Sequence, residues 1–184
     1  MKRIEALEVL DQVFGNDPLI ITCGATAREM ASISQKKSHL PLLDSMGLTT
    51  PVGLGVALGV NGRVGVIDGD GSLLMGFSIL PTLKAYGPKN LIVVVLDNGQ
   101  HASADLMLSQ ASEVDIAGAA KGLGLWVGEC DSAEEMKSLI ASRTGADGVS
   151  MIFVKIEKGN TPGIPFYLAN PPKLSADFVE SINS

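Results

Sequence analysis

Apolar runs and helix-period segments alternate along most of the chain. The apolar runs are short, rich in β-branched residues, and cover residues 19–23, 63–67, 91–96 and 151–156. Segments whose apolar residues recur at helical spacing lie beside them, at 4–14, 54–60, 114–122 and 133–142. Continuous apolar runs are typical of parallel strands that are covered on both faces. We therefore predict an α/β fold with a doubly wound, mainly parallel sheet flanked by helices on both faces.

This alternation ends after Glu157. Residues 158–172 contain four prolines and two glycines, which predicts an extended surface segment. The total length of 184 residues fits one domain. We therefore expect a domain over residues 1–157, followed by a proline-rich C-terminal tail over residues 158–184 with a short helix near Ser175.

Charge and cysteine content argue against several classes of protein. The formal net charge is −6 and the isoelectric point is near 4.8, whereas a nucleic-acid surface would be basic. Cys23 and Cys130 have no metal or disulfide spacing, which favours a reducing compartment. Glu5 and Glu8 interrupt the apolar stretch that an export signal needs. Residues 45–62 are uncharged but contain five glycines and a proline, so we expect a core helix, and a cytoplasmic protein with no membrane partner.

The strand predicted at 63–67 runs into a turn that suits a phosphate. This turn is Asp68-Gly69-Asp70-Gly71-Ser72, and glycines let the backbone approach a phosphate group closely. Asp70 would repel a diphosphate unless a divalent cation lay between the two. We interpret the turn as a metal-bridged diphosphate site, with ordinary turn chemistry as the alternative. Pro81 is expected to bend or break the helix that follows.

Asn98 follows the next predicted strand, 28 residues after Asp70. The carboxyl ends of adjacent parallel strands meet at one edge of a sheet, so the two side chains would lie side by side. Carboxylate and amide oxygens are ligands that Mg²⁺ prefers. An ordinary turn at Asp97-Asn98-Gly99 is the alternative.

As a set, these motifs resemble those of thiamine diphosphate-dependent enzymes. The resemblance runs from Arg3 to about Pro165 and is greatest to the small β-type subunits of sulfopyruvate decarboxylase and the equivalent part of phosphonopyruvate decarboxylase. The matching segments are Gly24 with Ala27-Arg28-Glu29, Ser45-Met46-Gly47-Leu48, residues 53–58, residues 68–75 and residues 95–99. This resemblance implies a thiamine diphosphate-binding fold of the pyrophosphate-binding type, with thiamine diphosphate and Mg²⁺ as cofactors.

The family pattern implies a set of cofactor-binding residues. They are Gly24, Ala25, Asp44, Ser45, Met46, Gly69, Asp70, Gly71, Ser72, Asn98, Gln100 and His101. Asp70 and Asn98 would bind Mg²⁺ through their side chains, and Gln100 would bind it through its backbone carbonyl. Residues 69–72 would hold the diphosphate, assisted by the backbone at 24–25.

Two further roles follow from the resemblance. Met46 would bend the cofactor, although methionine is also a common core filler. The Asp44 carbonyl would accept a hydrogen bond from the aminopyrimidine, at a position where relatives often have glycine. His101 would reach the reacting carboxylate or carbonyl as an acid or donor, or it is an ordinary loop histidine. Only Ser103 of the segment 103–107 matches the family, which leaves the particular 2-oxo acid open.

One required group is missing from the chain. In the family, the glutamate that binds the pyrimidine ring comes from a second domain, so the resemblance implies a separate pyrimidine-binding α-type subunit in a hetero-oligomer. Gly55 and Gly59 share one helix face and would serve that contact, or they serve packing of the helix on the sheet. Arg28 and the lysines at 36–37 would meet an acidic group on the substrate, or they are solvated surface.

We therefore predict the thiamine diphosphate- and Mg²⁺-binding subunit of a 2-oxo acid decarboxylase, acting on a small anionic substrate of the sulfopyruvate or phosphonopyruvate type. One alternative is a non-enzymatic or regulatory thiamine diphosphate-binding protein. Two others are a subunit of a thiamine-dependent carboligase and a fragment of a nucleotide-binding oxidoreductase.

Overall fold

Six parallel strands form the central sheet of a computed structural model that describes residues 1–183. The strands in chain order are β1 (Leu19–Ile21), β2 (His39–Pro41), β3 (Val64–Gly69), β4 (Leu91–Asp97), β5 (Gln100–His101), β6 (Met107–Leu108), β7 (Trp126–Cys130) and β8 (Ser150–Lys155). The order across the sheet is β2-β1-β3-β4-β8-β7, and each of these pairings is parallel. β5 and β6 form a separate antiparallel hairpin. The predicted fold class is confirmed.

Helices cover both faces of this sheet. They are α1 (Arg3–Phe14), α2 (Ala25–Ile33), α3 (Thr49–Gly59), α4 (Asp70–Met75), α5 (Ile79–Tyr86), α6 (Ile116–Gly122), α7 (Ala133–Arg143) and α8 (Pro171–Ile182). Side chains of α1, α2 and α7 pack in one hydrophobic cluster, and those of α3, α5, α6 and α8 pack in another. Along β4, Val93 and Val95 join the second cluster, whereas Val94 and Leu96 join the first. Both faces of the strand are therefore buried, which explains its unbroken apolar run.

Pro51 and Pro81 both lie in the first turn of a helix. α3 begins at Thr49, five residues before its predicted start, and has Pro51 in its third position. α5 likewise has Pro81 in its third position. The first amides of a helix have no partner inside it, so proline is tolerated there. The helix after the diphosphate turn is interrupted as expected, between Met75 and Ile79, and Pro81 lies in the first turn of its second part. Proline lacks the N–H that would bond the carbonyl four residues earlier, so an uninterrupted helix through residue 77 is disfavoured.

The glycines of α3 face two different environments. A Cβ atom built on Gly53 would lie 2.1 Å from Val66 Cγ2, so this glycine allows the helix to approach β3 closely. A Cβ atom on Gly55 or Gly59 would have no described atom within 4 Å. Packing inside the fold therefore does not explain Gly55 and Gly59, which lie on the outer face of the helix.

The C-terminal tail is attached to the domain by its helix. α8 has 12 residues, more than the short helix that was expected, and its Phe178 is buried in the cluster beside α3. The boundary at residue 157 stays a prediction. None of the helices within residues 1–183 is both long enough and apolar enough to span a membrane.

Candidate functional site

A cavity of about 480 Å³ lies at the carboxyl edge of the sheet. Its lining includes Gly24, Ala25, Met46, Gly69, Asp70, Gly71, Ser72, Asn98, Gln100 and His101. The topology brings these residues together because β1, β3 and β4 are neighbours and all end at this edge. Asp44 and Ser45, which were also predicted, lie beside Met46 and do not line the cavity.

Asp70 is the buried carboxylate of this cavity. Only 3% of the residue is exposed, and the Ser109 hydroxyl donates a short hydrogen bond to its Oδ2 atom. Burial raises the pKa of the Asp70 carboxyl above its usual range, whereas the bond from Ser109 acts in the opposite direction. Ser109 was missed in the sequence, because it follows the β5–β6 hairpin and no local motif marks it.

Asn98 and Gln100 line the same cavity as Asp70 and carry further oxygen atoms. The Asn98 Oδ1 atom accepts from the Gln100 backbone N–H at 2.9 Å, and the Asn98 residue is 4% exposed. The Gln100 Oε1 atom is buried without a hydrogen-bond partner among the described residues. No group of three or more His, Cys, Asp or Glu residues within 1–183 could hold a metal ion. A metal here would therefore depend on amide and carbonyl oxygens beside a single carboxylate.

The His101 ring lies directly against Gly71. A Cβ atom built on Gly71 would be 2.3 Å from His101 Cε1 and 2.7 Å from Nδ1. Any side chain at position 71 would therefore occupy the space that the imidazole now fills. This close approach joins the start of α4 to strand β5.

The first turn of α2 presents a backbone donor to the same cavity. The Ala25 N–H donates to Ser103 Oγ at 2.9 Å, and a Cβ atom on Gly24 would lie 2.6 Å from that oxygen. The loop between β5 and β6 therefore places an oxygen acceptor at a helix N-terminus, where an anionic oxygen is also favoured.

The segment that carries Met46 is fixed against α4. The Gly47 N–H donates to Ser72 Oγ at 3.1 Å, and a Cβ atom on Gly76 would lie 2.2 Å from the Gly47 carbonyl oxygen. Asp44 has a φ angle of 52°, in the left-handed region that glycine adopts more readily. Met46 lies at the cavity rim with 39% of its surface exposed.

Asp68 supports the site from inside the fold. Its carboxylate accepts from Thr50 Oγ1 at 2.7 Å and from the Gly69 N–H at 2.9 Å. Burial raises the pKa of the Asp68 carboxyl, and these hydrogen bonds act against that shift. Asp68 joins α3 to the turn after β3 and does not line the cavity.

A basic residue that was not predicted lines the cavity, and its charge is paired with Glu29. Arg3 is the only lysine or arginine among the described lining residues. The expectation that Lys36 and Lys37 meet an acidic group on the substrate is wrong. Lys36 pairs with Asp11 at 2.7 Å and Lys37 pairs with Glu180 at 2.8 Å, and both pairs lie near the opposite end of β2. Arg28 does not line the cavity either.

These observations fit the expected cofactors. Gly69 and Gly71 line the cavity without side chains, the N-terminus of α2 also faces it, and Asp70 with Asn98 provides hard oxygen atoms. The buried, unpartnered oxygen of Gln100 is a further atom that a ligand could satisfy. The residues present are therefore compatible with a diphosphate that is bridged by Mg²⁺.

Comparison with known proteins gives a consistent result. The family described as "Thiamine pyrophosphate enzyme, C-terminal TPP binding domain" matches residues 22–154, and thiamine pyrophosphate is another name for thiamine diphosphate. Phosphonopyruvate decarboxylase of Streptomyces viridochromogenes is 33% identical over 96% of this chain and 45% of its own length. Sulfopyruvate decarboxylase subunit beta of Methanocaldococcus jannaschii is 30% identical over 98% of this chain and 97% of its own length. The chain thus spans less than half of the first relative and nearly all of the second.

Solved structures share the fold. Benzoylformate decarboxylase from Polynucleobacter necessarius superposes with a TM-score of 0.71 at 22% identity. The match covers 85% of this chain and 33% of that chain. At this identity the likeness concerns the fold alone.

Proposed function

This chain belongs to the thiamine pyrophosphate enzyme family, and on that premise we propose that it is the thiamine diphosphate- and Mg²⁺-binding subunit of a 2-oxo acid decarboxylase. The substrate type that we propose is sulfopyruvate or phosphonopyruvate, because relatives that cover nearly all of this chain carry those names. The observation that carries the proposal is the shared cavity, which places Asp70 and Asn98 at adjacent strand ends beside Gly71.

The proposed metal site consists of three oxygen donors. Asp70 and Asn98 would hold Mg²⁺ through their side chains, and Gln100 would hold it through its backbone carbonyl. The backbone at 69–72, together with that at 24–25, would hold the diphosphate. The metal is needed because a buried carboxylate and a diphosphate repel each other without a cation between them.

The remaining residues would orient the cofactor and the substrate. When bound, thiamine diphosphate supplies the nucleophilic carbon and the electron sink for loss of CO₂. Met46 would support the bent cofactor, Ser45 would flank it, and the Asp44 carbonyl would accept from its aminopyrimidine. His101 would hold or donate a proton at the substrate carboxylate or carbonyl, since its ring lies at the cavity wall.

A separate pyrimidine-binding subunit would complete the site. Glutamate is absent from the described residues that line the cavity, although the family needs one at the pyrimidine ring. The rim of the cavity also carries exposed apolar side chains, those of Met46, Met75, Met107 and Leu108, which are typical of a surface that a partner covers. The outer face of α3 at 55–59 is a second surface that we propose for this contact.

A CO₂-release assay tests the proposal. The chain would be co-expressed with the pyrimidine-binding chain of the same source and supplied with thiamine diphosphate, Mg²⁺ and a panel of 2-oxo acids. We expect turnover with substrates that carry a second acidic group, and loss of turnover in Asp70→Ala. Cofactor binding without turnover on any acid would instead favour a non-enzymatic thiamine diphosphate-binding protein. Product formation that requires a second carbonyl compound would favour a carboligase.

A further inference from the structure

A buried ion pair forms part of the cavity wall. Arg3 at the start of α1 donates from Nη1 to Glu29 Oε1 on α2 at 2.9 Å, and the two residues are 5% and 0% exposed. The pair is separated by 26 residues in sequence. A pair this deeply buried needs further hydrogen bonds to offset the loss of hydration. Here those bonds come from the C-terminal tail and reach the Arg3 guanidinium and Glu29 Oε1, whereas Glu29 Oε2 has no hydrogen-bond partner among the described residues.

The tail residues 159–161 surround the ion pair. Arg3 donates from Nη2 to the Gly159 carbonyl at 3.1 Å and from Nη1 to Asn160 Oδ1 at 3.2 Å. The Thr161 N–H donates to Glu29 Oε1 at 3.0 Å. Both members of the pair are therefore bound to a segment that follows the last strand of the sheet.

Asn160 connects this anchor to the loop after β5. Its Oδ1 atom accepts from Arg3, while its Nδ2 atom donates to the Ala102 carbonyl at 2.8 Å. Ala102 lies between the two loop residues that contact the cavity wall, His101 against Gly71 and Ser103 on the Ala25 N–H. A single side chain thus joins a buried ion pair to the turn that directly follows His101.

We propose that Asn160 is a positioning residue, which uses the Arg3–Glu29 pair as an anchor to hold the loop at 101–104 over the cofactor cavity. Its effect on ligand binding rests on the proposed function, whereas its effect on the loop does not. Without the bond to the Ala102 carbonyl, the loop at 101–104 would sample other positions, and His101 and Ser103 would leave the cavity wall. The tail beyond β8 would then be a functional part of the site and not only a surface extension.

Asn160→Asp separates the two halves of this connection. The carboxylate keeps an acceptor for Arg3 but cannot donate to the Ala102 carbonyl, so the anchor stays and the bond to the loop is lost. Arg3 and Glu29 are poor targets, because removing either one leaves an unpaired buried charge and destabilises the fold. Lys37→Ala is a matched control, since the exposed Lys37–Glu180 pair also joins the tail segment to the domain, but away from the cavity.

Two measurements on the full chain test the proposal. Amide exchange would be compared by NMR between wild type, Asn160→Asp and Lys37→Ala. The affinity of each for thiamine diphosphate with Mg²⁺ would be measured by calorimetry, with the partner subunit present if wild type alone does not bind. The amides of Ala104 and Met107 report on the loop, because they donate to the carbonyls of His101 and Ala104, both at 3.0 Å. In Asn160→Asp we expect exchange of these two amides to become roughly fivefold faster, exchange of the Thr161 amide to be unchanged, and ligand affinity to fall by a similar factor. Lys37→Ala should match wild type in exchange at the loop, in exchange at Thr161 and in ligand affinity.

The outcomes separate this inference from the proposed function. Unchanged exchange at 104 and 107 in Asn160→Asp would overturn the anchor, and faster exchange with unchanged affinity would overturn the positioning role. If wild type fails to bind thiamine diphosphate even with its partner, the proposed function fails, and the effect of Asn160 on binding fails with it. The exchange data would then still decide whether Asn160 holds the loop.

Discussion

Gly71→Ala should impair ligand binding while leaving the fold intact. Gly71 lies in the first turn of α4, and its φ angle is not in the left-handed region, so alanine is compatible with the backbone. The added Cβ atom would be 2.3 Å from His101 Cε1. The His101 ring is the far end of a half-buried side chain in the two-residue strand β5, so it can rotate away.

The expected magnitudes differ for stability and for binding. Alanine gains up to about 1 kcal/mol over glycine within a helix, which offsets displacement of the His101 ring, so the free energy of unfolding should change by less than about 1 kcal/mol. A hydrogen bond to a charged group contributes about 1.5–3 kcal/mol. The methyl group takes the place of the His101 ring. If the displaced ring blocks one backbone contact to the diphosphate, affinity should fall by about 10- to 150-fold.

Gly76→Ala provides the contrasting control. Its Cβ atom would lie 2.2 Å from the Gly47 carbonyl oxygen, which is backbone and cannot rotate away. We expect this variant to lose about 1–3 kcal/mol of stability through overpacking. Urea unfolding and calorimetric titration with thiamine diphosphate and Mg²⁺ measure the two effects. Wild-type affinity in Gly71→Ala, or a larger loss of stability in Gly71→Ala than in Gly76→Ala, would refute the prediction.

Three further predictions concern other parts of the molecule. Cys23 lines the cavity and Cys130 does not. Thiamine diphosphate with Mg²⁺ should therefore slow alkylation of Cys23 and leave alkylation of Cys130 unchanged, as followed by mass spectrometry. Equal protection of both thiols would contradict the assigned site. Burial lowers the pKa of His39 below its usual 6.5, so the unfolded chain binds the proton more tightly than the folded chain does. The free energy of unfolding should therefore fall as the pH drops below about 6.5, by at most about 1.4 kcal/mol per pH unit. If His39→Gln shows the same dependence of stability on pH as wild type, this prediction is contradicted. Gly55→Ala should raise the free energy of unfolding by about 0.5–1 kcal/mol, because the position is exposed inside a helix; if the outer face of α3 contacts the partner subunit, the same variant should weaken its association in analytical ultracentrifugation.

The layered fold was predictable because its signals are local. Each buried strand is an apolar run several residues long, and a sheet covered on both faces needs such runs. The adjacency of Asp70 and Asn98 followed from the same logic, since strands that are consecutive in a parallel sheet end at one edge. The helix starts at Thr49 and Ile79 were harder, because a proline in a first turn resembles a helix-breaking signal.

The parts of the site that were missed depend on contacts that are distant in sequence. Asn160 lies 157 residues from Arg3 and 58 residues from Ala102, and a lone asparagine in a proline-rich segment resembles loop. The bond from Ser109 to Asp70 depends on the β5–β6 hairpin, whose strands have only two residues each. Lys36 and Lys37 were misplaced because a charged side chain in sequence does not indicate which edge of the sheet it reaches.

Titration of thiamine diphosphate into wild type and Asp70→Asn, with Mg²⁺ and again with a chelator, tests the metal bridge most directly. Asparagine keeps the shape of the side chain and an acceptor for Ser109, but removes the charge. The partner subunit would be present in every titration. We expect Mg²⁺ to strengthen binding to wild type by roughly 100-fold or more and to have little effect on Asp70→Asn. Without metal, Asp70→Asn should bind at least as well as wild type, because the repulsion between two anions is gone. Binding to wild type that is tight without Mg²⁺, or an undiminished response to Mg²⁺ in Asp70→Asn, would contradict the account.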